Sequence, residues 1–513
     1  MKNFKYLIFA GIALSSLGLV AQVAEGSIGY YRDALLFGQA SSTYGNTARM
    51  QGIGGATTSL GADMSAAGAN PAGLGFYNRN VFSFTPSLNM HNAQSSYLGS
   101  NVATYKNNFN FANLGIVFNN NKGDYTDEKF KGGSFAITLN RTNDFNNEVT
   151  YQGRNANNSI IDAFIQDAGT QNSSSLSGLS LSGYENYLIS PVLDDNDVVT
   201  GYDSFVIGYP MQSETITTRG GQYDLNFSWG GNYNDKVYFG AGLGFVSLDY
   251  KMSRNYLETD FFYTDDNGGT QVDDWINSIN VKDDLSIDGS GINGSIGLIA
   301  RPVDYLTVGV SYKTATFYSL NEESGFTNST NWNGVELDDN GETIILNERD
   351  FVSDLNIGQY NMRTPGRLNL GATAFLGKLG FITGDVEFVD FGSAQLKSSD
   401  FTVFADNQSI MNLYTRAINY RLGAEFRYDN FRFRGGYAYF SDPYRNNDNF
   451  DGSRQNLSIG AGFRTRDYFV DLAVVNMKRF DAYSPYNLND GSQPLADITN
   501  RSTNISATVG FNF

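Results

Sequence analysis

The chain has 513 residues, no cysteine, a single histidine and a formal net charge of −18. Disulfide frameworks, a lipoprotein anchor, cysteine nucleophiles, histidine-based catalysis and multi-histidine metal sites are thereby excluded. The acidic balance also argues against nucleic acid, whose phosphates need a basic footprint.

Residues 1–21 read as a secretory signal peptide. Lys2 and Lys5 form the charged start, Tyr6 to Val20 the apolar stretch, and cleavage is expected after Ala21. The apolar run is shorter than the roughly 20 residues a membrane-spanning helix needs. No later segment approaches one, so a protein of the envelope that belongs in a membrane must cross it as a closed barrel.

Residues 22–80 do not alternate. Small residues dominate, Asp63 opens a helical turn, and Asn70-Pro71-Ala72-Gly73 is a turn signal. Such a stretch cannot face lipid, because its backbone groups would go unpaired. It is expected inside the barrel lumen as a hatch; the other reading is a periplasmic tail.

From Val81 to Phe513 the chain alternates as a transmembrane barrel domain (81–513) should. Strands are expected at about 81–90, 109–119, 133–142, 222–231, 236–252, 286–301, 304–317, 361–376, 379–391, 416–429, 430–441, 456–466, 467–478 and 501–513. The tally is about fourteen, and even, as single-chain bacterial barrels have. Tyr420, Leu422, Ala424, Phe426 and Tyr428 share one face; Arg421, Glu425 and Arg427 share the other. Charge on the lipid face near the midplane costs about 2–4 kcal/mol, so the charged face points inward. In the final strand Ile505, Ala507, Val509, Phe511 and Phe513 alternate with Ser506, Thr508, Gly510 and Asn512. The predicted class is therefore all-β: a roughly 14-stranded antiparallel transmembrane barrel plugged by an N-terminal hatch.

Tight turns are expected at Asn232–Asp235, Pro302–Val303, Gly377–Lys378 and Asp429–Asn430, on the periplasmic side. Long loops are expected outside, at 143–221, 253–285, 318–360, 392–415, 442–455 and 479–500. The connection 120–132 is long for a periplasmic turn. His91 is expected to be solvated at the end of the first strand.

Three groups of residues invite a functional reading. Asp385, Glu387, Arg421, Glu425, Arg427, Arg432, Arg434 and Arg464 are expected in the lumen, either as a salt network that grips the hatch or with one arginine meeting a ligand carboxylate. Ile160, Ile161, Phe164 and Ile165 lie on one side of a helix within the longest loop. With Tyr184, Tyr187, Leu188 and Ile189 they form either an outer capture groove or a pin holding the loop on the barrel mouth. Asp194-Asp195-Asn196-Asp197, Asp265-Asp266-Asn267-Gly268 and Asp338-Asp339-Asn340-Gly341 suit turns better than calcium, since none has the spacing of an EF-hand loop. No arrangement of nucleophile and base marks an enzyme, and no cofactor or metal is indicated.

The run GGATTSLGADMSAAGANPAGLG (Gly54–Gly75) resembles the N-terminal hatch of the FadL-type long-chain fatty-acid transporters, which carries an Asn-Pro-Ala motif. The likeness continues in Thr364–Gly377, Gly384–Gly392, Arg421–Tyr444 and Leu457–Val474, and is thin over 143–218. The resemblance implies a fourteen-stranded, hatch-plugged monomer in the bacterial outer membrane, in contact with its lipids. It implies passive uptake of a hydrophobic small molecule that leaves sideways through a gap near the third strand. Asn70, Pro71, Ala72 and Gly73 would then gate passage, the other reading being a rigid packing turn, and Gly132-Gly133 would either weaken pairing at the gap or form a simple turn. Other classes stay open: a FadL-like scaffold for protein secretion or surface attachment, and an adhesin or general porin, which the hatch argues against.

Overall fold

The computed structural model describes residues 23–24, 27–39, 45–122, 128–264, 269–273, 275–339, 342–445 and 451–513. The expected signal peptide, Asp265 to Gly268, and Asn340-Gly341 lie outside these residues.

Fourteen antiparallel strands form the wall: β1 (Val81–Tyr97), β2 (Ser100–Asn121), β3 (Phe130–Asp144 continued by Asn147–Arg154), β4 (Tyr209–Tyr233), β5 (Val237–Thr264), β6 (Ile276–Val303), β7 (Leu306–Lys313 continued by Phe317–Asp339), β8 (Glu342–Val352, Asn356–Arg363 and Arg367–Phe375), β9 (Gly380–Asp390, extended by Gln395–Lys397), β10 (Arg416–Tyr428), β11 (Phe431–Phe440), β12 (Arg454–Arg464), β13 (Tyr468–Tyr483) and β14 (Ala496–Asn512). Each strand pairs with the next, and β14 closes on β1 from Val81↔Asn512 to Ser96↔Asp497. Closure leaves no sheet edge at the seam, as a wall in lipid requires.

Strand 5 shows how the wall changes character with height. At the short-turn end Phe239, Ala241, Leu243 and Phe245 point outward and exposed, while Tyr238, Gly240, Gly242 and Gly244 point inward. Higher up, Ser247, Asp249 and Lys251 point outward and Val246, Leu248 and Tyr250 are buried inside. The backbone keeps its pairing with β4 throughout this change. Only the outside solvent differs: lipid below, water above. β14 behaves likewise, with Ile505 and Val509 exposed outside but Ile498 buried inside.

This reversal accounts for the main departures from expectation. The stretches 253–285 and 318–360 are expected as loops, yet strands run to Thr264, from Ile276, to Asp339 and from Glu342. β1 and β2 likewise run on to Tyr97 and from Ser100, joined by Leu98 and Gly99 with φ of 47° and 81°. Positive φ at both residues is the hairpin turn whose twist matches the strands. Pro302 and Val303 belong to β6, so that turn falls at 304–305. The longest loop holds α4 (Ile160–Ala168) and α5 (Gly178–Glu185), and the connection after β9 holds α6 (Phe404–Leu413).

The hatch fills the lumen as two parts. The base, residues 45–80, contains α2 (Ala48–Gly52), α3 (Ala66–Ala69) and a 3-10 turn (Pro71–Phe76). It lies in the short-turn half. The tip, residues 27–39, carries α1 (Tyr31–Leu36) and stands among Tyr250, Tyr318 and Met362 of the upper wall and Leu413 of α6.

Candidate functional site

The tip is suspended from above. Asp406, on α6 and fully buried, accepts hydrogen bonds from Ser27 Oγ (2.9 Å) and from the amides of Ile28 (3.2 Å), Gly29 (3.0 Å) and Tyr31 (3.2 Å). Tyr360 donates to Asp33 Oδ2 at 2.7 Å. One carboxylate thus satisfies three backbone donors of a segment too short to pair them itself.

Beside the suspended tip lies a cavity of about 280 Å³. Tyr31, Leu35 and Leu36 form one side; Phe145, Ile216, Tyr250 and Met252 from β3 to β5, with Phe440 and Met477, form much of the rest. Phe145 and Tyr250 meet edge to face at 5.1 Å, and Phe37 of the tip packs against both. The rest of the lining is polar and extensive: Arg32, His91, Asp144, Arg367, Arg454, Arg479 and Asp481 enter it, with asparagines and serines between them. His91 is therefore not a solvated residue at a strand end. It sits in the interior of β1 and lines the cavity, and its Nε2 has no hydrogen-bond partner among the described residues.

The cavity reaches the place where the wall's pairing breaks. β2 pairs with β3 from Asn121↔Gly132 up to Asn113↔Asn140, and no further. Above that rung β3 shifts register between Arg141 and Asn143, turns inward, and from Asn147 pairs only with β4. Gly132 and Gly133 are paired on both sides, so the break lies some ten residues along the strand from where they would place it. A polar seal closes it. Asp144 accepts from Arg141 Nη2 (2.6 Å), Asn146 Nδ2 (2.8 Å) and Asn89 Nδ2 (2.9 Å). Lys106 Nζ reaches across from β2 to the carbonyls of Asn147 (3.2 Å) and Thr218 (3.4 Å).

The residues expected to gate sit elsewhere. Asn70 Nδ2 donates to Thr58 O at 2.6 Å, its Oδ1 accepts from Ala72 N at 3.1 Å, and Pro71 opens the 3-10 turn. Asn70, Ala72 and Gly73 are buried, and wall glycines admit them: a Cβ on Gly240 would lie 2.4 Å from Pro71 C, and one on Gly297 1.7 Å from Asn70 Oδ1. The motif is thus clamped at the foot of the lumen, away from the cavity lining.

The charged residues are spent on the wall and the hatch. Asp385 Oδ2 accepts from Thr57 N, Thr58 N and Thr58 Oγ1 at 2.7–2.9 Å. Glu387 pairs with Arg367 and Arg421 (both 3.0 Å), and Glu425 with Arg427 and Arg434 (both 2.8 Å). Arg434 also meets Asp471 at 2.7 Å, with Arg464 at 4.0 Å. Arg432 stands apart, donating to the carbonyls of Asp429 and Phe431 at the rim. Arg49 and Asp63 of the hatch, and Asp471 and Arg367 of the wall, complete the network; no sequence signal singles them out.

Ile160, Ile161, Phe164 and Leu188 are buried in an apolar core above the barrel mouth, with Ile165, Tyr184 and Tyr187 packed at its side. Glu258 fastens this cap, accepting from Ser159 Oγ (2.5 Å), Ile160 N (2.9 Å), Gln212 Nε2 (2.9 Å) and Tyr256 Oη (2.6 Å). Burial raises its carboxyl above the usual range. Asp194 turns back on the amides of Asn196 and Val198 in an exposed turn.

No family model and no curated protein sequence matches the chain. Solved structures do match its fold. A Pseudomonas aeruginosa FadL homologue is 14% identical, with a TM-score of 0.54, over 93% of this chain and 100% of that one. The Pseudomonas putida toluene transporter TodX is 11% identical, with a TM-score of 0.51, over 92% and 99%. The chain thus has the FadL-type fold. Closed pairing and an exposed apolar band place this barrel in a Gram-negative outer membrane.

Proposed function

We propose that the protein is a passive channel for hydrophobic small molecules, gated by its hatch. The observation that carries this reading is the partly apolar cavity beside the suspended tip, opening toward the one stretch where β2 and β3 part. A ligand held there reaches the membrane sideways without crossing the polar, hatch-filled base. The volume, about 280 Å³, lies at the small end of ligand pockets (roughly 300–1,000 Å³), which favours a compact aromatic or short aliphatic compound over an extended fatty acid. Toluene, the compound for which the structurally similar transporter TodX is named, agrees with that size. Arg32, whose Nε donates to Gly29 O, is one lining cation available to a carboxylated ligand.

The test is uptake of a labelled aromatic hydrocarbon by cells making the full protein. Leu35→Trp with Ile216→Trp fills the cavity and is expected to abolish uptake while the barrel still folds and inserts. Undiminished uptake would refute the cavity as the route. Deleting 22–80 tests the hatch: unchanged uptake together with unchanged resistance to large antibiotics would sink the gating role.

The surface-scaffold reading has its own support. Val352, Leu355 and Ile357 are 62–70% exposed on one projecting stretch of β8, where a protein partner would find an apolar contact.

A further inference from the structure

Three neighbouring strands are interrupted at one height, β7 at 314–316, β8 at 364–366 and β9 at 391–394, and beside them the pairing of β6 with β7 lapses between Ile292 and Ser295. The wall is dented there, and its outer face holds a groove of about 700 Å³. Phe245, Ile292 and Phe317, the uppermost exposed apolar residues on the outer face of β5, β6 and β7, form its apolar side. Outward-facing Ser290, Ser319 and Asn361 follow one step higher, so the groove straddles the boundary between the lipid-facing band and the water-facing wall.

Two cations stand at this boundary. Arg363 lies opposite Phe317 and Gln395, and Lys397 lies opposite Asn361. Both are exposed and line the groove, no carboxylate lines it with them, and neither has an ion-pair partner among the described residues. In a chain of net charge −18 an acid-free pair of cations is unexpected. The arrangement recurs on the seam side of the barrel. Lys478 and Arg501 face each other directly across β13 and β14, both exposed. Their outward neighbours Gln455, Asn476, Thr503 and Asn92 are all uncharged. Like charges directly opposite one another are destabilising unless an anion lies between them.

We propose that the groove binds a phosphorylated glycolipid of the outer leaflet. Its acyl chains lie along Phe245, Ile292 and Phe317, and its phosphate lies between Arg363 and Lys397. Arginine matches phosphate with two parallel N–H donors and lysine adds a point charge. The apolar side then accounts for selection of a lipid over free phosphate. This inference rests on the outer-membrane placement and is independent of what the cavity carries.

The experiment is native mass spectrometry of the purified full chain with three probes: a bis-phosphorylated, acylated glucosamine disaccharide, the same lipid without phosphates, and phosphatidylglycerol. The parent is expected to retain the phosphorylated glycolipid at least tenfold better than either of the others. Arg363→Gln with Lys397→Gln is expected to erase that preference, while Arg363→Lys keeps most of it. Arg416→Gln, an outward cation already paired with Asp390, serves as the surface control and is expected to change nothing. Equal retention by parent and double variant would overturn the site; equal retention of all three lipids would overturn the headgroup. Uptake of hydrocarbon by the double variant is read separately and is expected to be unchanged, so a failed lipid result leaves the channel reading standing.

Discussion

Asp385→Ala removes a wall carboxylate that receives three hydrogen bonds from the hatch base, at 2.7, 2.9 and 2.8 Å. Two of those donors are backbone amides, and Thr57, Thr58 and Asp385 are all buried. Each orphaned donor costs about 1–3 kcal/mol. Water admitted by the smaller side chain recovers part of this, and the desolvation of the carboxylate is itself relieved. The net loss of hatch anchoring is therefore on the order of 2–5 kcal/mol. At about 1.4 kcal/mol per tenfold, the released hatch becomes roughly 30- to 4,000-fold more populated. The chain has no cysteine, so Ala56→Cys, fully buried beside Thr57, provides a single reporter thiol. Maleimide labelling of that thiol in the folded, detergent-solubilised barrel is expected to accelerate by that factor in the Asp385→Ala background. Asp385→Asn, which keeps one acceptor oxygen, falls between. An unchanged labelling rate, with the barrel still resistant to denaturant, would refute the claim that this carboxylate holds the hatch.

Three further outcomes follow from the same geometry. Arg434→Met takes from Glu425 and Asp471 the cation they share while Arg427 and Arg49 stay with Glu425 and Arg464 with Asp471, a loss of about 1–3 kcal/mol that should appear as a lowered urea midpoint in micelles. Gly297→Ala puts a Cβ where Asn70 Oδ1 now lies, so it is expected to dislodge the Asn-Pro turn and raise labelling of the same reporter thiol while the wall stays paired. Glu258→Ala strands the Ser159 hydroxyl, the Ile160 amide, Gln212 and Tyr256. Limited proteolysis should then cut between 155 and 208 while the barrel strands remain protected.

The candidate site was legible only in outline. Lumen charges such as Glu425 and Arg434 could be assigned inward because charge is costly against lipid, and the ion pairs they make agree with that assignment. The Asn70-Pro71 turn could be read as a constrained element, yet its clamping by Gly240 and Gly297 depends on residues some 170 and 227 positions away, by the difference in numbering. The cavity left no signal at all. Its walls come from Tyr31, Phe145, Tyr250, Phe440 and Met477, each of which is unremarkable where it stands in the chain.

What the sequence determined alone was the class of wall, its strand count and the presence of a segment that had to lie within it. Alternation is a local property, and a period of two with charge on one side allows only one inward face next to lipid. What tertiary structure decided was where that rule ceases. On β5, Phe245 is the last exposed outward apolar residue, and Val246 begins the inward series Val246, Leu248 and Tyr250. Periodicity is the same on both sides of that point; only the solvent outside changes. Whether an apolar residue faces lipid or fills a cavity therefore depends on its height in the assembled barrel, which no stretch of sequence carries by itself.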